Sequence, residues 1–513
     1  MGLPPAVWVL VGFLASLPFF IRDRVAVAVF ALVVGIVAVA QSNAYWSPYY
    51  RISLLEIPPP EGWQRPSAFI VDVNHDYHQT ILDLSADFIA HFPNAEPNRS
   101  GFPSYELAYK LVPNPNRVLV VGAGTGNDVA AALRHGATHV DAVEIDPVIL
   151  RLGKKYHPEH PYDSARVTLF NDDARAFFKK TNQRYDLIVF GYLDSHTLLT
   201  SLSSIRLDNY VYTLESFREA RRLLATNGTL VLGFSAGRSF LGDRIYATLA
   251  RAFDEPPVAY FTGAAETGVV YIEGNRNRSI LISDFPDISK EFQAHQSGML
   301  LSTDHWPFLY LKSRTIPFSI LAVLLLFLYI SIGLLRRTVS LRGLTAPQDL
   351  HLFFLGVGFM LLETKGVTEL SLLFGSTWVV NAVVIASFLL MGLLANALIL
   401  LRPISRKLAY IILFCLLIVG MFLPYTILSG LPGTEKTAAA AILVGLPVFF
   451  SGLVFSRSFK DSSKPAHGLG VNLLGAVIGG VLENLVMIGG TPILGTLAIA
   501  LYGASAISLG VRS

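Results

Sequence analysis

Apolar residues crowd both ends of this chain, while the stretch between them alternates apolar and polar positions in the manner of a folded domain. Residues 6–21 and 25–40 are apolar runs separated only by Arg22-Asp23-Arg24. Each is close to the shortest helix that spans about 30 Å of hydrocarbon. No Lys or Arg precedes the first run and a second follows at once, so a helical hairpin is expected rather than a cleaved leader. Apolar runs resume near residue 316, at 316–335, 350–362, 378–400, 408–428, 438–455, 468–487 and 493–509. The second of these is short and polar at its end, which suits a re-entrant segment. The pattern predicts two plus seven membrane spans, about nine in all.

Between them, short apolar runs at 118–121, 140–143, 167–170, 186–190 and 229–234 alternate with amphipathic helical patterns. That alternation predicts a parallel, doubly wound α/β sheet. Two earlier segments, SPYYRISLLEI and SAFIVDVNHDYHQ, read as strands bounded by Pro and Asn. The expected organisation is a transmembrane hairpin over 1–41 and a soluble domain over 42–312. A helical bundle follows over 313–513. Within the soluble domain, 42–112 is a small β region and 113–312 the α/β part.

Composition supports this division. The 513 residues are 52% hydrophobic and 15% charged, against about 25% charged in ordinary soluble domains. A net charge of +3 leaves no electrostatic footprint for nucleic acid. The single cysteine, Cys415, excludes a disulfide framework or a cysteine-based metal site, and no metal is expected. A lipid bilayer and a small-molecule acceptor are the expected partners, and a homo-oligomer is left open. Basic residues cluster after alternate spans, at Arg22 and Arg24, Arg336 and Arg337, Arg402 and Arg406, and Arg457 and Lys460. In a multi-pass protein of a cytoplasmic (inner) membrane they place the soluble domain outside the cytoplasm. A metabolite made in the cytoplasm would favour the other side.

The sharpest local signal is RVLVVGAGTGNDVAAALR, from Arg117, in which a buried strand enters a turn containing Gly122, Gly124 and Gly126 and then a helix. Glycines let a ligand approach the backbone closely, and Glu144, ending the next strand, can accept hydrogen bonds from both hydroxyls of a ribose. The combination predicts a nucleoside-binding crevice. Asp128 opens the helix, where it serves either the helix dipole or a ligand's ammonium group. Asp172 and Asp173 follow the third strand, as adenine partners or as a turn and cap. Asp194 follows the fourth, and with His196 it forms a candidate acid/base pair. Tyr210 belongs to the same polar and aromatic loop, and Tyr77 and His78 are placed to close the site from the β region.

These residues, with Tyr77-His78-Gln79, Val143-Glu144-Ile145-Asp146, Tyr185-Asp186-Leu187-Ile188 and Thr303-Asp304-His305-Trp306-Pro307, resemble the spermidine synthase family in its membrane-fused branch. The resemblance covers about residues 45–312. It implies a small N-terminal β region on a class I S-adenosylmethionine-type Rossmann domain, with transfer of an aminopropyl group from decarboxylated S-adenosylmethionine to an amine. Glu144 matches the family's ribose ligand and Asp172-Asp173 its adenine-side position. The turn reads GAGTGND where the family has GGGDG, and Gly191 stands at the first Asp of its Asp-x-x-Asp, leaving Asp194 as the second.

The expectation is thus a Rossmann-like domain inserted between transmembrane helices. It would bind S-adenosylmethionine or its decarboxylated form through Gly122, Gly124, Gly126, Asp128, Glu144, Asp172 and Asp173. Asp194 and His196 would be catalytic, and Tyr77, His78, Gln79 and Tyr210 would face the substrate. Two alternatives stand beside it. One is a methyltransferase acting on a small or membrane-delivered acceptor. The other is a transporter or sensor whose soluble domain only binds a nucleoside or polyamine, which Glu363, Lys365, Glu369 and Glu483 in apolar surroundings would suit.

Overall fold

The computed structural model describes residues 3–40, 44–93, 102–193, 209–263, 268–274, 285–336, 346–375, 377–402, 404–423 and 425–510. Asp194, His196, Arg206 and Asp208 lie outside them. Two compact units emerge, Met1–Leu202 with Phe217–Met299, and Ser203–Ser216 with Leu300–Ser513.

The first unit contains two sheets. Strands β1 (Tyr45–Trp46), β2 (Arg51–Ile57), β3 (Ala68–Val73) and β4 (Asp76–Leu82) form an antiparallel meander. Alternate residues Ile52, Val71, Val73 and Ile81 are buried on one face, against Val148, Ile149 and Leu152 of the helix Pro147–Tyr156. The β3–β4 turn places Asn74 and His75 at positive φ, the left-handed region that a tight hairpin requires.

The larger sheet comprises β5 (Arg117–Val121), β6 (His139–Glu144), β7 (Val167–Asn171), β8 (Tyr185–Phe190), β9 (Leu224–Ser235), β10 (Val258–Phe261) and β11 (Gly268–Gly274). Their order is β10-β11-β9-β8-β5-β6-β7, parallel except that β11 runs antiparallel to β9 and β10. Val118–Val121 are fully buried, as a central parallel strand covered on both faces must be. β5 pairs with β6 on one side and β8 on the other, so the strand order reverses there. Ligands of open α/β sheets collect at the carboxyl edge beside such a reversal. The expected Rossmann-like architecture is present. The Tyr185-Asp186 motif sits at the opposite edge and is structural: Tyr185 donates to Asp141 at 2.8 Å and Asp186 accepts from the Arg117 amide at 2.9 Å.

Among the described residues, six helices are long and apolar enough to cross a membrane: Phe318–Leu335, Pro347–Phe374, Trp378–Leu401, Gly433–Lys460, Pro465–Gly489 and Ile493–Gly510. Pro5–Phe20 and Arg24–Ala40 are shorter apolar helices, and Arg406–Phe422 has 17 residues. Among the described residues, six of the expected nine spans are thus long enough to cross, and the other three are these shorter helices. The segment read as short and re-entrant is one continuous helix of 28 residues, Pro347–Phe374. It carries its polar residues by pairing them. Lys365 bonds Glu369 one turn on, and Thr364 donates to Glu483 at 2.6 Å. Glu483 is thus bonded by Thr364, and Lys365 by Glu369.

The second unit has charge at one end of its helices. Arg406 and Arg457 both bond Asp461, at 2.6 and 3.2 Å, and His467 meets Asp349 at 3.0 Å. At the far end of the helix that begins at Pro465, the Trp306 indole donates to the Met487 carbonyl at 2.8 Å. The Thr491 amide bonds the His305 carbonyl at 2.8 Å. Residues 300–312 thus pack with the helices. So does the stretch around Thr213, whose hydroxyl donates to Asp304 at 2.7 Å.

Candidate nucleoside site

β5 ends in the turn Gly122-Ala123-Gly124-Thr125-Gly126, which leads into the helix Asn127–Arg134. Gly122, Gly124 and Gly126 have φ of +71°, +56° and +113°, values that disfavour any side chain. The turn is held from several directions. Gly122 and Ala123 donate their amides to the Val143 carbonyl, both at 2.9 Å. The Tyr162 hydroxyl bonds the carbonyls of Ala123 and Gly124 at 3.1 and 2.7 Å. A Cβ on Gly153 would overlap the Thr125 carbonyl, so the neighbouring helix approaches the turn as only glycine permits.

Glu144 closes the opposite wall. One carboxylate oxygen accepts from the Gly124 amide and the other from the Asp146 amide, each at 2.9 Å. Two carboxylate oxygens carry four lone pairs, so acceptor capacity remains beyond these backbone bonds. The side chain is buried, and burial pushes its pKa up to about 7 against the pull of the Asp146, Gly124 and Ile145 amides. Asp146 caps the following helix, accepting from Val148 and Ile149.

The other expected residues distribute as follows. Asp173 caps the helix Ala174–Lys180 through the Ala176 amide at 3.0 Å, and Asp172 pairs with Lys180 at 2.5 Å. The cap and turn reading is therefore realised at this pair. The Asp172 amide bonds the Glu144 carbonyl at 3.2 Å, which keeps the pair beside the crevice wall. Gln79 reaches from β4 over the turn, its oxygen accepting from the Thr125 amide and hydroxyl, each at 3.3 Å. The Gln79 amide nitrogen is buried without an acceptor, a donor aimed beside Gly124. Tyr77 is half exposed with its hydroxyl 3.2 Å from Thr80, and the His78 ring stands 6.2 Å from Tyr50. Tyr210 is buried in the second unit, where its carbonyl accepts from Thr213 at 3.3 Å. Asp194 and His196 are outside the described residues.

The carboxylate of Asp128 reaches across the mouth. Its Oδ2 stands 3.0 Å from where a Cβ on Gly191 would be, just past β8. Burial pushes Asp128 up to about 7. Leu193 packs over Gly122. Three further residues complete the site without any local sequence signal. They are Tyr162 and His157, and Asn127, whose amide ties Thr80 and Tyr105 to the helix start at 2.8 and 3.0 Å. A buried donor lacking an acceptor, free lone pairs on Glu144 and a bare glycine turn fit an adenosine-bearing ligand.

Residues 88–233 match the family profile of the spermine/spermidine synthase domain. A polyamine aminopropyltransferase of Vibrio vulnificus is 32% identical over 149 residues, 28% of this chain and 45% of that protein. Polyamine aminopropyltransferase 1 of Streptomyces coelicolor is 28% identical over 175 residues, covering 32% of this chain and 31% of that protein. The chain thus spans less than half the length of these curated relatives. A solved spermidine synthase from Thermotoga maritima superposes on 51% of this chain and 82% of its own, at 15% identity and a TM-score of 0.35. The fold assignment rests on the strand order instead. With that order and the glycine turn, the middle of this chain has a Rossmann-like fold, and its residues 88–233 are similar to the spermine/spermidine synthase domain.

Proposed function

We propose that this chain is a membrane-integrated transferase of the spermidine synthase type. It binds S-adenosylmethionine or its decarboxylated form as a substrate, in the crevice where β6, β5 and β8 end, and modifies a small amine. The observation that carries this reading is Glu144, an all but buried carboxylate at the end of β6 that is bonded to the glycine turn and retains lone pairs for ribose hydroxyls. The names of the relatives support an aminopropyl group as the one transferred.

In this scheme the amine nitrogen attacks the sulfonium's aminopropyl carbon, the C–S bond breaks, 5′-methylthioadenosine leaves as a neutral thioether, and the nitrogen gives up a proton. The backbone of Gly122, Gly124 and Gly126 lets the nucleoside approach, and Gln79 offers its free amide hydrogens. Asp172 and Asp173 border the adenine side. Asp194 and His196 are assigned to the acceptor from the sequence, with Tyr77 and His78 as its further contacts. The six long apolar helices support residence in a bilayer as a multi-pass protein, and the cytoplasmic membrane is the one assigned to it here. Loop charges favour an extracytoplasmic domain and substrate supply a cytoplasmic one. A reporter fused near residue 200 decides between them.

Methyl transfer is a second reading, favoured by Gly191 and by Thr125 in the turn. Calorimetry of the full chain in detergent separates the two. Tighter binding of decarboxylated S-adenosylmethionine, lost in Glu144→Ala, supports aminopropyl transfer. Binding of S-adenosylmethionine alone supports methyl transfer. Binding of neither removes both and leaves the transporter or sensor reading.

A further inference from the structure

Asp128 holds an unusual place. The sequence puts it in the first turn of the helix after the glycine turn, where a carboxylate commonly does no more than meet the helix dipole. The fold turns it toward the end of β8. Gly191 donates its amide to the Val121 carbonyl at 3.1 Å, which locks the residue into the gap where strand order reverses. A Cβ on Gly191 would crowd both Asp128 Oδ2 at 3.0 Å and the Gly122 carbonyl at 3.1 Å. The room that a side chain at 191 would occupy already holds a carboxylate.

That carboxylate has no partner among the described residues. The nearest cation on its own helix, Arg134, is engaged by Glu159 at 2.6 Å and by Glu106 at 3.4 Å. The groups facing Asp128 from the adjoining elements are the phenols of Tyr105, Tyr109 and Tyr162, and Tyr105 also senses Tyr77 and Tyr192. Among the described residues, the cation that acts on Asp128 is Arg134, on its own helix. A half-buried carboxylate without a hydrogen-bond or ion-pair partner is costly to keep unless something positive arrives.

We propose that Asp128 is the carboxylate that receives a primary ammonium group at the reacting end of this crevice, in place of a side chain at position 191. This rests on the nucleoside reading above. Two sources present that chemistry, the ammonium ending the side chain of decarboxylated S-adenosylmethionine and the ammonium of the acceptor amine. Burial holds Asp128 partly protonated near neutrality, so the arriving cation also ionises it.

The test uses the full chain in detergent and the variant Asp128→Asn. Three titrations are made: 5′-methylthioadenosine, which carries no ammonium; decarboxylated S-adenosylmethionine; and putrescine added to the methylthioadenosine complex. The expected result is methylthioadenosine affinity within about twofold of the parent, which also certifies the fold. One ammonium ligand weakens about ten- to a hundredfold, as loss of a charge-assisted bond implies. Loss with the nucleoside assigns Asp128 to the substrate tail, and loss with putrescine assigns it to the acceptor. The parent's affinity for that ligand should rise from pH 6 to 8 and the variant's should not. Unchanged affinity for both ammonium ligands overturns the inference, and so does an equal loss for methylthioadenosine. A parent that binds no nucleoside overturns the nucleoside reading itself, and the inference with it.

Discussion

Glu144 and Gly124 lie twenty residues apart and are joined by one hydrogen bond, from the Gly124 amide to Glu144 Oε2 at 2.9 Å. With its other oxygen on the Asp146 amide, the same side chain fixes both walls of the crevice. Glu144→Gln must turn an NH2 toward one of two backbone donors. The expected cost is about 1–3 kcal/mol of stability, together with loss of nucleoside binding. Thermal melting and calorimetry on one sample check both, and a variant that melts and binds like the parent would refute this assignment.

Asn127 joins the β4 strand to the helix start through three bonds: to Thr80 at 2.8 Å, to Tyr105 at 3.0 Å and from the Leu82 amide at 3.3 Å. Asn127→Ala leaves the half-buried Leu82 amide and Thr80 carbonyl without that partner. Destabilisation of about 1–3 kcal/mol is expected from urea unfolding followed by tryptophan fluorescence. A loss below about 0.5 kcal/mol would mean that water replaces the asparagine.

How much of this was legible in the chain depends on how local each feature is. Strand β5, the glycine turn and Glu144 follow from a contiguous pattern, because a turn with three positive-φ residues must be written in glycine. Tyr162, whose hydroxyl holds the turn, comes from a 3-10 turn 38 residues away and has no local signature. The apolar run 350–362 suits a re-entrant segment because it is short and polar at its end, whereas the helix continues to Phe374. Pairing of Lys365 with Glu369, and of Thr364 with Glu483 on another helix, removes the reason for a break. Likewise, the bond from Trp306 to Met487 spans 181 residues, and it places 300–312 with the helices rather than with the sheet.

His157 gives the first unit a pH signature. Burial lowers its pKa to about 3, and its Nδ1 accepts from the Glu159 amide at 3.2 Å. Below about pH 6.5 the unfolded chain binds a proton that the folded one refuses, so this residue's contribution is lost as pH falls from there toward 3. Glu144 acts in the opposite sense, with its raised pKa costing stability as pH rises from about 4.5 to 7. The comparison of parent with His157→Gln isolates the histidine. Between pH 7 and 4.5 the variant's melting temperature should fall less than the parent's, and equal slopes would show that His157 accepts a proton without unfolding.

Gly356 and Gly475 make a reciprocal contact between the helices Pro347–Phe374 and Pro465–Leu482. A Cβ on Gly356 would overlap the Asn472 carbonyl, and one on Gly475 would overlap that of Phe353. Asn472 seals the same contact by donating to the Leu352 carbonyl at 2.9 Å. Helices without a hydrophobic drive between them in lipid associate through such close backbone approach. The repeated glycines of the sequence do not distinguish which of them pack, but the structure does. Gly475 and Gly479 face the neighbour, whereas Gly480 has nothing within 4 Å. Gly356→Val and Gly475→Val should each lower the melting temperature of the detergent-solubilised chain by several degrees, as overpacking by about 1–3 kcal/mol implies. Gly480→Ala on the same helix should leave it within about a degree. If Gly480→Ala proved as damaging as the other two, the contact between these helices would have to run along a different face.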